Sequence, residues 1–189
     1  MKIINYIRNA RYLEDGSVKC EVLLEGRDTF IPYAASASDT AETGQQIWQE
    51  LQSGKWGEIT PFTVTEKMLE AARKGKRMEI EAWREEQEAQ TWTLEWNGHT
   101  WNAGTASLSR LYLVVMAAKS GKSRNTLSWG NADNEQVLLS AQDVEELAAT
   151  MAQAQVDRND EIYRRQREMK EALNTLKDLS SIRKLAINQ

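Results

Sequence analysis

The stretch "TWTLEWNGHTWNAG" (residues 91–104) decides how the second half of the chain folds, because a turn signal lies at the centre of a regular apolar and polar alternation. Asn97-Gly98 is typical of a two-residue type I′ turn in a β-hairpin. With that loop length, the polar residues fall on one face of the hairpin. The other face carries Trp92, Leu94, Trp96, His99, Trp101 and Ala103. The stretch therefore predicts a half-buried hairpin whose apolar face packs against a core.

His99 is the chain's only histidine, and it lies beside Trp96 at the turn end of this face. A single histidine without Asp, Glu or Cys at ligand spacing does not predict a metal site. Clustered tryptophans also suit stacking on a sugar, so a carbohydrate-binding role is an alternative. A packed hairpin edge is the simpler interpretation. The residues of this structural apolar face are Trp92, Leu94, Trp96 and Trp101.

The first third of the chain reads as a β-meander. Two turn signals, at residues 14–16 and 25–28, separate three apolar-rich runs. A three-residue loop with Gly16 in the left-handed conformation keeps the apolar residues of the first two runs on one face. This loop predicts the cross-strand pairs Tyr12 with Val18, Ala10 with Cys20, and Arg11 with Lys19.

A short helix completes this first module. A third strand is expected at about residues 29–33, and Ser38 or Asp39 is the candidate N-cap of the helix. Gly54 is its expected end, since glycine commonly follows the last helical residue. We therefore predict a small N-terminal β-rich docking module over residues 1–63.

Residues 64–90 predict a charged connector helix. Only five of the residues between 66 and 90 are large and apolar, and Gly75 lies inside the helix at a cost of about 1 kcal/mol relative to Ala. So thin an apolar stripe is not typical of a well-buried helix. We expect this helix to be exposed or to be covered by another chain.

The remaining residues, 91–189, predict a C-terminal α+β domain. After the hairpin comes a short buried helix, with Ser107 as its expected cap and Gly121 as its end. A strand, a turn and a second strand follow, over about residues 127–139. The whole chain is thus expected to have an α+β fold.

A long, coiled-coil-like helix over about residues 141–176 ends this domain. Ser140 is its expected N-cap, and Asp143 lies in its first turn, where the helix dipole favours an acid. We expect the helix to be too long for its own domain to cover, so that its apolar stripe binds a partner chain. The predicted partner-binding residues are Val144, Leu147, Met151, Ile162, Met169 and Leu173.

Composition restricts the classes of function. The 189 residues carry 24 Lys and Arg against 28 Asp and Glu, a net charge of -4, which argues against nucleic-acid binding. Cys20 is the single cysteine, so an intrachain disulfide and a cysteine-based metal site are excluded, and it is expected to be a small buried apolar residue. The longest apolar run, 111–118, is too short for a membrane span, and the first residues lack the pattern of a signal peptide. We expect a cytoplasmic protein without a cofactor.

Motifs of catalysis are not found in the sequence. "SGKS", residues 120–123, lacks the upstream glycine of a phosphate-binding loop and follows a helix, whereas such a loop follows a strand. A nucleophile elbow and a zinc-protease motif are also missing, and one histidine cannot supply a Ser–His pair and a second base. The sequence does not predict an enzyme.

Four stretches of the chain resemble proteins of tailed bacteriophages. "RYLEDGSVKCEV" (residues 11–22) and "FIPYAASASDTAETGQQIWQELQSGKWGEITPF" (30–62) resemble a recurrent N-terminal module of phage proteins. "LEWNGHTWNAGTASLSRLYLVVMAA" (94–118) and "LSWGNADNEQVLLSAQDVEELAATMAQ" (127–153) resemble an uncharacterised C-terminal domain of phage proteins encoded beside tail-fibre genes.

This resemblance implies a non-enzymatic protein associated with the phage tail fibre. It is either a structural adaptor in the tail or baseplate, or a tail-fibre assembly chaperone, and the choice between the two stays open. The implied partner is a tail-fibre or baseplate protein, bound in a homo-oligomer or hetero-oligomer, in the host cytoplasm during assembly or in the virion tail. No catalytic residue comes with the resemblance. The alternatives are a receptor-binding module that stacks on carbohydrate and, less favoured by the motifs, an enzyme.

Overall fold

The computed structural model describes residues 3–121 and 126–187. It divides the chain into two compact units at the junction of Thr65 and Glu66. Antiparallel sheets and helices occupy different segments of each unit. The predicted α+β class is confirmed.

The first unit is a three-stranded antiparallel sheet with one helix packed on it. The strands β1 (Ile4–Tyr12), β2 (Val18–Leu24) and β3 (Ile31–Ala35) pair in sequence order. The helix α1 (Glu42–Gln52) covers one face of this sheet. The core between them consists of Ile4, Ile7, Val18, Cys20, Val22, Leu24, Ala35, Ile47 and Leu51.

The bulged turn between β1 and β2 is confirmed near the loop. Tyr12 lies opposite Val18, and Gly16 has a φ of 82°, the left-handed conformation that the loop requires. Cys20 is buried, as predicted, and burial raises the pKa of its thiol to about 11. The third strand begins at Ile31, two residues later than predicted.

Further along β1 the register departs from the prediction, because a bulge lies beside Asn9, whose φ is 55°. Ala10 is not paired with Cys20. Instead, its carbonyl oxygen accepts a hydrogen bond from the backbone N–H of Thr60 at 3.0 Å, and the N–H of Tyr12 donates to the carbonyl of Thr60 at 2.9 Å. The loop after α1 therefore extends the edge of β1, a long-range contact that local turn signals do not report.

The predicted cap of α1 is wrong. The helix begins after Ala41, which has no side-chain cap, so neither Ser38 nor Asp39 is the N-cap. Asp39 lies before the helix, where its carboxylate accepts the N–H of Ala41 at 2.9 Å and the hydroxyl of Tyr33 at 2.7 Å. The carboxylate raises the pKa of Tyr33 to about 12. Asp39 thus ties the helix start to the sheet.

The second unit contains two β-hairpins and four helices within the described residues. Each hairpin forms its own two-stranded antiparallel sheet. In chain order the elements are α2 (Glu66–Ala89), β4 (Trp92–Trp96), β5 (His99–Ala103), α3 (Thr105–Lys119), β6 (Thr126–Gly130), β7 (Gln136–Ser140), α4 (Ala141–Thr175) and α5 (Leu179–Lys184).

The first hairpin has the predicted register. Both turn residues, Asn97 and Gly98, have positive φ values of 49° and 76°, as a type I′ turn requires. The two hairpins are joined where the N–H of Ala132 donates to the carbonyl of Thr100 at 2.8 Å. The observed cross-strand pairs are Trp96 with His99, Leu94 with Trp101, and Trp92 with Ala103.

The ends of the later helices are partly as predicted. The hydroxyl of Ser140 accepts the N–H of Asp143 at 3.1 Å, and the carboxylate of Asp143 accepts the N–H of Ser140 at 2.8 Å, which confirms the capping box of α4. The predicted cap of α3 is wrong: Gly104, with a φ of 100°, is the N-cap, and Ser107 lies inside the helix. The sharp turn out of β5 allows α3 to begin earlier.

The helix α2 is not an exposed connector. Its apolar residues Ile80 and Trp83 are buried, and it packs along α4 and α5 inside the second unit. Because α2 has few buried apolar residues, polar contacts between the helices add to its packing. Across the helices, the amide of Gln166 donates to the carboxylate of Glu81 at 3.0 Å. The boundary between the units therefore falls before α2, in contrast to the predicted connector over residues 64–90.

Candidate protein-binding surface

Five of the six predicted partner-binding residues of α4 lie inside the second unit. Val144, Leu147 and Met151 are fully buried, in one core with residues of both hairpins and α3. Ile162 and Leu173 are also buried, in the half of α4 that packs along α2. The expectation that a partner chain covers this stripe is corrected, because α2, α3 and the hairpins cover it.

The sixth residue, Met169, is half-buried. It lies in the half of α4 that packs along α2.

The predicted structural face of the first hairpin lies against the same core. Trp101 is 1% exposed, and Trp92, Leu94 and Trp96 are half-buried around it. Two of the indole N–H groups have partners: that of Trp92 donates to the side chain of Gln155 at 3.2 Å, and that of Trp101 to the carbonyl of Trp96 at 3.0 Å. Buried tryptophans need such acceptors, so both contacts fit a structural role.

The outer face of α3 is the feature that the sequence reasoning missed. Tyr112, Leu113 and Met116 are 59%, 69% and 51% exposed, whereas Leu111 and Val115 on the inner side are buried. The helix is therefore apolar on both sides, and its description as a buried helix holds for one side only. An all-round apolar helix is normally covered on every side. The apolar residues on both sides of α3 are therefore the feature of the sequence that indicates a contact outside the unit.

Beside this face runs a groove of about 600 Å³ between α3 and α4. Its α4 side is floored by small residues, Ala148, Ala149 and Ala152. Among the lining residues that the structure describes, the charged ones are the cation Lys119 and the anion Glu145. Among the described residues, neither of these two charges takes part in an ion pair or a side-chain hydrogen bond. We define the α3 face as this groove together with the exposed side chains Tyr112, Leu113 and Met116.

A second cavity, of about 390 Å³, lies between α2 and α4 and has both aromatic and cationic walls. The arginines of this cavity already form hydrogen bonds with other residues of the chain. Arg158 donates to the carbonyl of Gln87 at 3.3 Å and to the side chain of Gln90 at 3.0 Å. Arg165 donates to Glu161 at 2.7 Å. The two bonds of Arg158 tie the end of α2 to α4, and the bond of Arg165 lies within α4, so both arginines have a structural role.

Eight carboxyl groups in the described part of the chain have a shifted pKa. Each carboxyl group with a shifted pKa has a lowered one, because hydroxyl groups, N–H groups and cations bind the ionised form. Over residues 3–121 and 126–187, no three His, Cys, Asp or Glu side chains are grouped so that they could hold a metal ion. Of the "SGKS" stretch, residues 122 and 123 lie outside the described residues.

None of the helices in the described ranges combines the length and the apolar character that crossing a membrane requires.

Comparison with known proteins identifies a family. Neither curated proteins nor solved structures gave a match to this chain. Residues 71–186 match a family described as a domain of unknown function, DUF4376. The match begins inside α2 and ends beyond α5, so it includes both helices that form the groove. The chain therefore belongs to the DUF4376 family.

Proposed function

We propose that this protein is a non-enzymatic component of phage tail-fibre assembly or structure, and that it acts through protein contacts at the α3 face. The observation that carries the proposal is the exposure of Tyr112, Leu113 and Met116 beside an apolar groove. Contiguous apolar surface of this kind marks interaction sites more often than it occurs on a free monomer surface.

The energetics support a contact at this face. Burying an aliphatic or aromatic side chain stabilises a complex by about 1.5–3 kcal/mol before the costs of association. Leu113 and Met116 are more than half exposed, so most of this free energy is still available to a partner.

The phage context of the proposal comes from the sequence resemblance of residues 94–118 and 127–153, which form the first hairpin, most of α3, the second hairpin and the start of α4. Contacts at the α3 face then build a complex that contains or joins a tail-fibre or baseplate protein. As an adaptor, the chain stays in the virion tail. As a chaperone, it binds the fibre in the host cytoplasm and is released.

The alternative of carbohydrate stacking has less support. All seven tryptophans lie in described residues, and each is buried or half-buried. A stacking platform needs exposed rings, and the exposed aromatic ring on the α3 face is the single Tyr112. An enzymatic role has less support too, since the shifted carboxyl groups are stabilised in the ionised form and would not donate a proton near neutral pH.

The test combines two measurements on the same variants. Quantitative mass spectrometry determines the copy number of the chain in purified phage particles, and co-expression determines the solubility of the fibre protein. A copy number that matches tail symmetry identifies an adaptor, and absence from particles with a requirement for fibre solubility identifies a chaperone. A chain that is neither present nor required would overturn the proposal.

The variant Leu113→Glu places a charge on the α3 face and is expected to abolish whichever of the two behaviours the natural chain shows. Met78→Glu is the matched control, because Met78 is 64% exposed on α2 and lies outside this face. If Leu113→Glu folds and behaves as the natural chain in both assays, the α3 face is not the binding surface.

A further inference from the structure

We infer that the occupant of the α3 face is a second copy of this chain, bound around a two-fold axis. The inference rests on the proposed function, since it names the partner of the same surface. It makes the dimer, rather than the single chain, the unit that joins the tail or the fibre.

The shape of the face is self-complementary. Large side chains protrude from α3, above all Leu113 and Met116, and a hollow with an alanine floor lies beside them on α4. In a two-fold contact each copy presents the same patch, so a patch must contain both its protrusions and the hollow that receives them. The α3 face has both, because Tyr112 lines the hollow and Leu113 and Met116 protrude from the same helix.

The charge of the face is also self-complementary. Lys119 and Glu145 line the groove, and both are exposed and outside the ion pairs of the described residues. A two-fold axis brings the cation of one copy towards the anion of the other, twice. A partner of strongly positive or negative charge would instead meet repulsion from one of these two residues. The face therefore suits a neutral, mixed-charge partner, which is what a second copy offers.

The size of the face indicates a weak dimer. With 15 residues, α3 is about 22 Å long, and two adjacent helices are about 20 Å wide. The contact then covers roughly 900 Å² over both copies, below the range of about 1,200–2,000 Å² for stable specific interfaces. We expect a dimer that dissociates at micromolar concentrations.

Sedimentation equilibrium of the purified full chain, over roughly 1 to 300 μM, tests the inference. The natural chain is expected to show a concentration-dependent dimer, and Leu113→Glu to stay monomeric over the same range. Met78→Glu is the control and should dimerise as the natural chain does. A natural chain that is monomeric throughout, or a dimer that Leu113→Glu leaves unchanged, would contradict the inference.

A charge-reversal pair tests the cross-copy contact without touching the core. Lys119→Glu and Glu145→Lys are each expected to weaken the dimer about tenfold, because each creates two like-charge contacts across the axis. An equimolar mixture of the two variants should dimerise like the natural chain, since both contacts are then between opposite charges. Loss in the single variants without recovery in the mixture would show that these residues do not face each other across copies.

The two proposals fail in different ways. If the natural chain is monomeric but Leu113→Glu is still lost from particles or fibres, the proposed function stands and the partner on the face is a different protein. If Leu113→Glu breaks the dimer but enters particles normally and keeps fibres soluble, the dimer stands and the role of the face in the tail is refuted.

Discussion

The long helix α4 is covered in two different ways along its length. Its first half lies in an apolar core, where Leu147 and Met151 are fully buried against the hairpins and α3. Its second half lies along α2, where fewer apolar side chains are buried and polar bonds link the helices. One such bond joins the hydroxyl of Tyr163 to the carboxylate of Glu88 at 2.6 Å.

This difference explains why the apolar stripe of α4 looks like a partner-binding surface in the sequence. A stripe shows which side of a helix is apolar, but not which element covers that side. The core half has an obvious cover, the hairpin with its tryptophans. The other half is covered by α2, which has few apolar residues. The apolar periodicity of the sequence therefore does not show that α2 packs on α4.

The largest effect is expected in the core half. Leu147→Asp buries a charge with no partner among apolar side chains, which should destabilise the second unit by about 4–5 kcal/mol or more. Since domains are stable by about 5–15 kcal/mol, much of the helical signal in far-UV circular dichroism should be lost or should melt at far lower temperature. Leu113→Asp, on the exposed side of α3, is the control and should keep the natural melting curve. Equal melting curves for the two variants would contradict the assignment of Leu147 to the core.

The intermediate effect is expected in α2, the cover of the other half. Gly75 lies inside this helix, and a Cβ added there would meet no atom within 4 Å. Gly75→Ala should therefore stabilise the unit by about 1 kcal/mol through helix propensity alone. Urea unfolding of the full chain measures this change. A loss of stability would mean that the glycine serves a contact that the packing of α2 does not show.

Gly44→Ala is the matched glycine control, because Gly44 also lies inside a helix, in the first unit. There an added Cβ would overlap the carboxylate of Asp39 and the hydroxyl of Tyr33. The expected result is a loss of about 1–3 kcal/mol from overpacking, the opposite sign to Gly75→Ala.

The parts of the fold that the sequence predicts are those determined by neighbouring residues. The register of the first hairpin follows from Asn97-Gly98 and the alternation around it, and the start of α4 follows from Ser140 and Asp143. The bulge of β1 depends on Thr60, some 50 residues away, and so it was missed. Local patterns contain no information on such contacts.

The candidate site was missed for a related physical reason. The stretch "RLYLVVMAA", residues 110–118, is apolar enough to predict burial, and one side of α3 is indeed buried. Composition does not distinguish burial inside the fold from burial in a complex, because both remove the same kind of surface from water. Only the position of α3 at the outside of the unit makes Leu113 a candidate contact.

The smallest effect is expected from an ion pair between the helices, and it depends on pH. Lys170 on α4 and, to a lesser degree, Arg84 on α2 hold the pKa of Glu81 below its usual value near 4.5. A lowered pKa in the folded state means that the carboxylate stabilises the fold fully above that usual value. The contribution is then lost as pH falls through the lowered pKa.

Glu81→Gln isolates this contribution, because glutamine resembles the protonated acid at every pH. The natural chain should be more stable than Glu81→Gln at pH 7, by a small amount, since the pair is exposed and screened by salt. At pH 3 or below the difference should shrink towards zero, because the carboxyl group is then protonated in the natural chain as well. Urea unfolding of both chains at several pH values measures this difference in the free energy of unfolding. A difference that stays constant from pH 7 to pH 3 would mean that Glu81 acts through packing rather than charge, and the two halves of α4 would then be held by the same kind of contact.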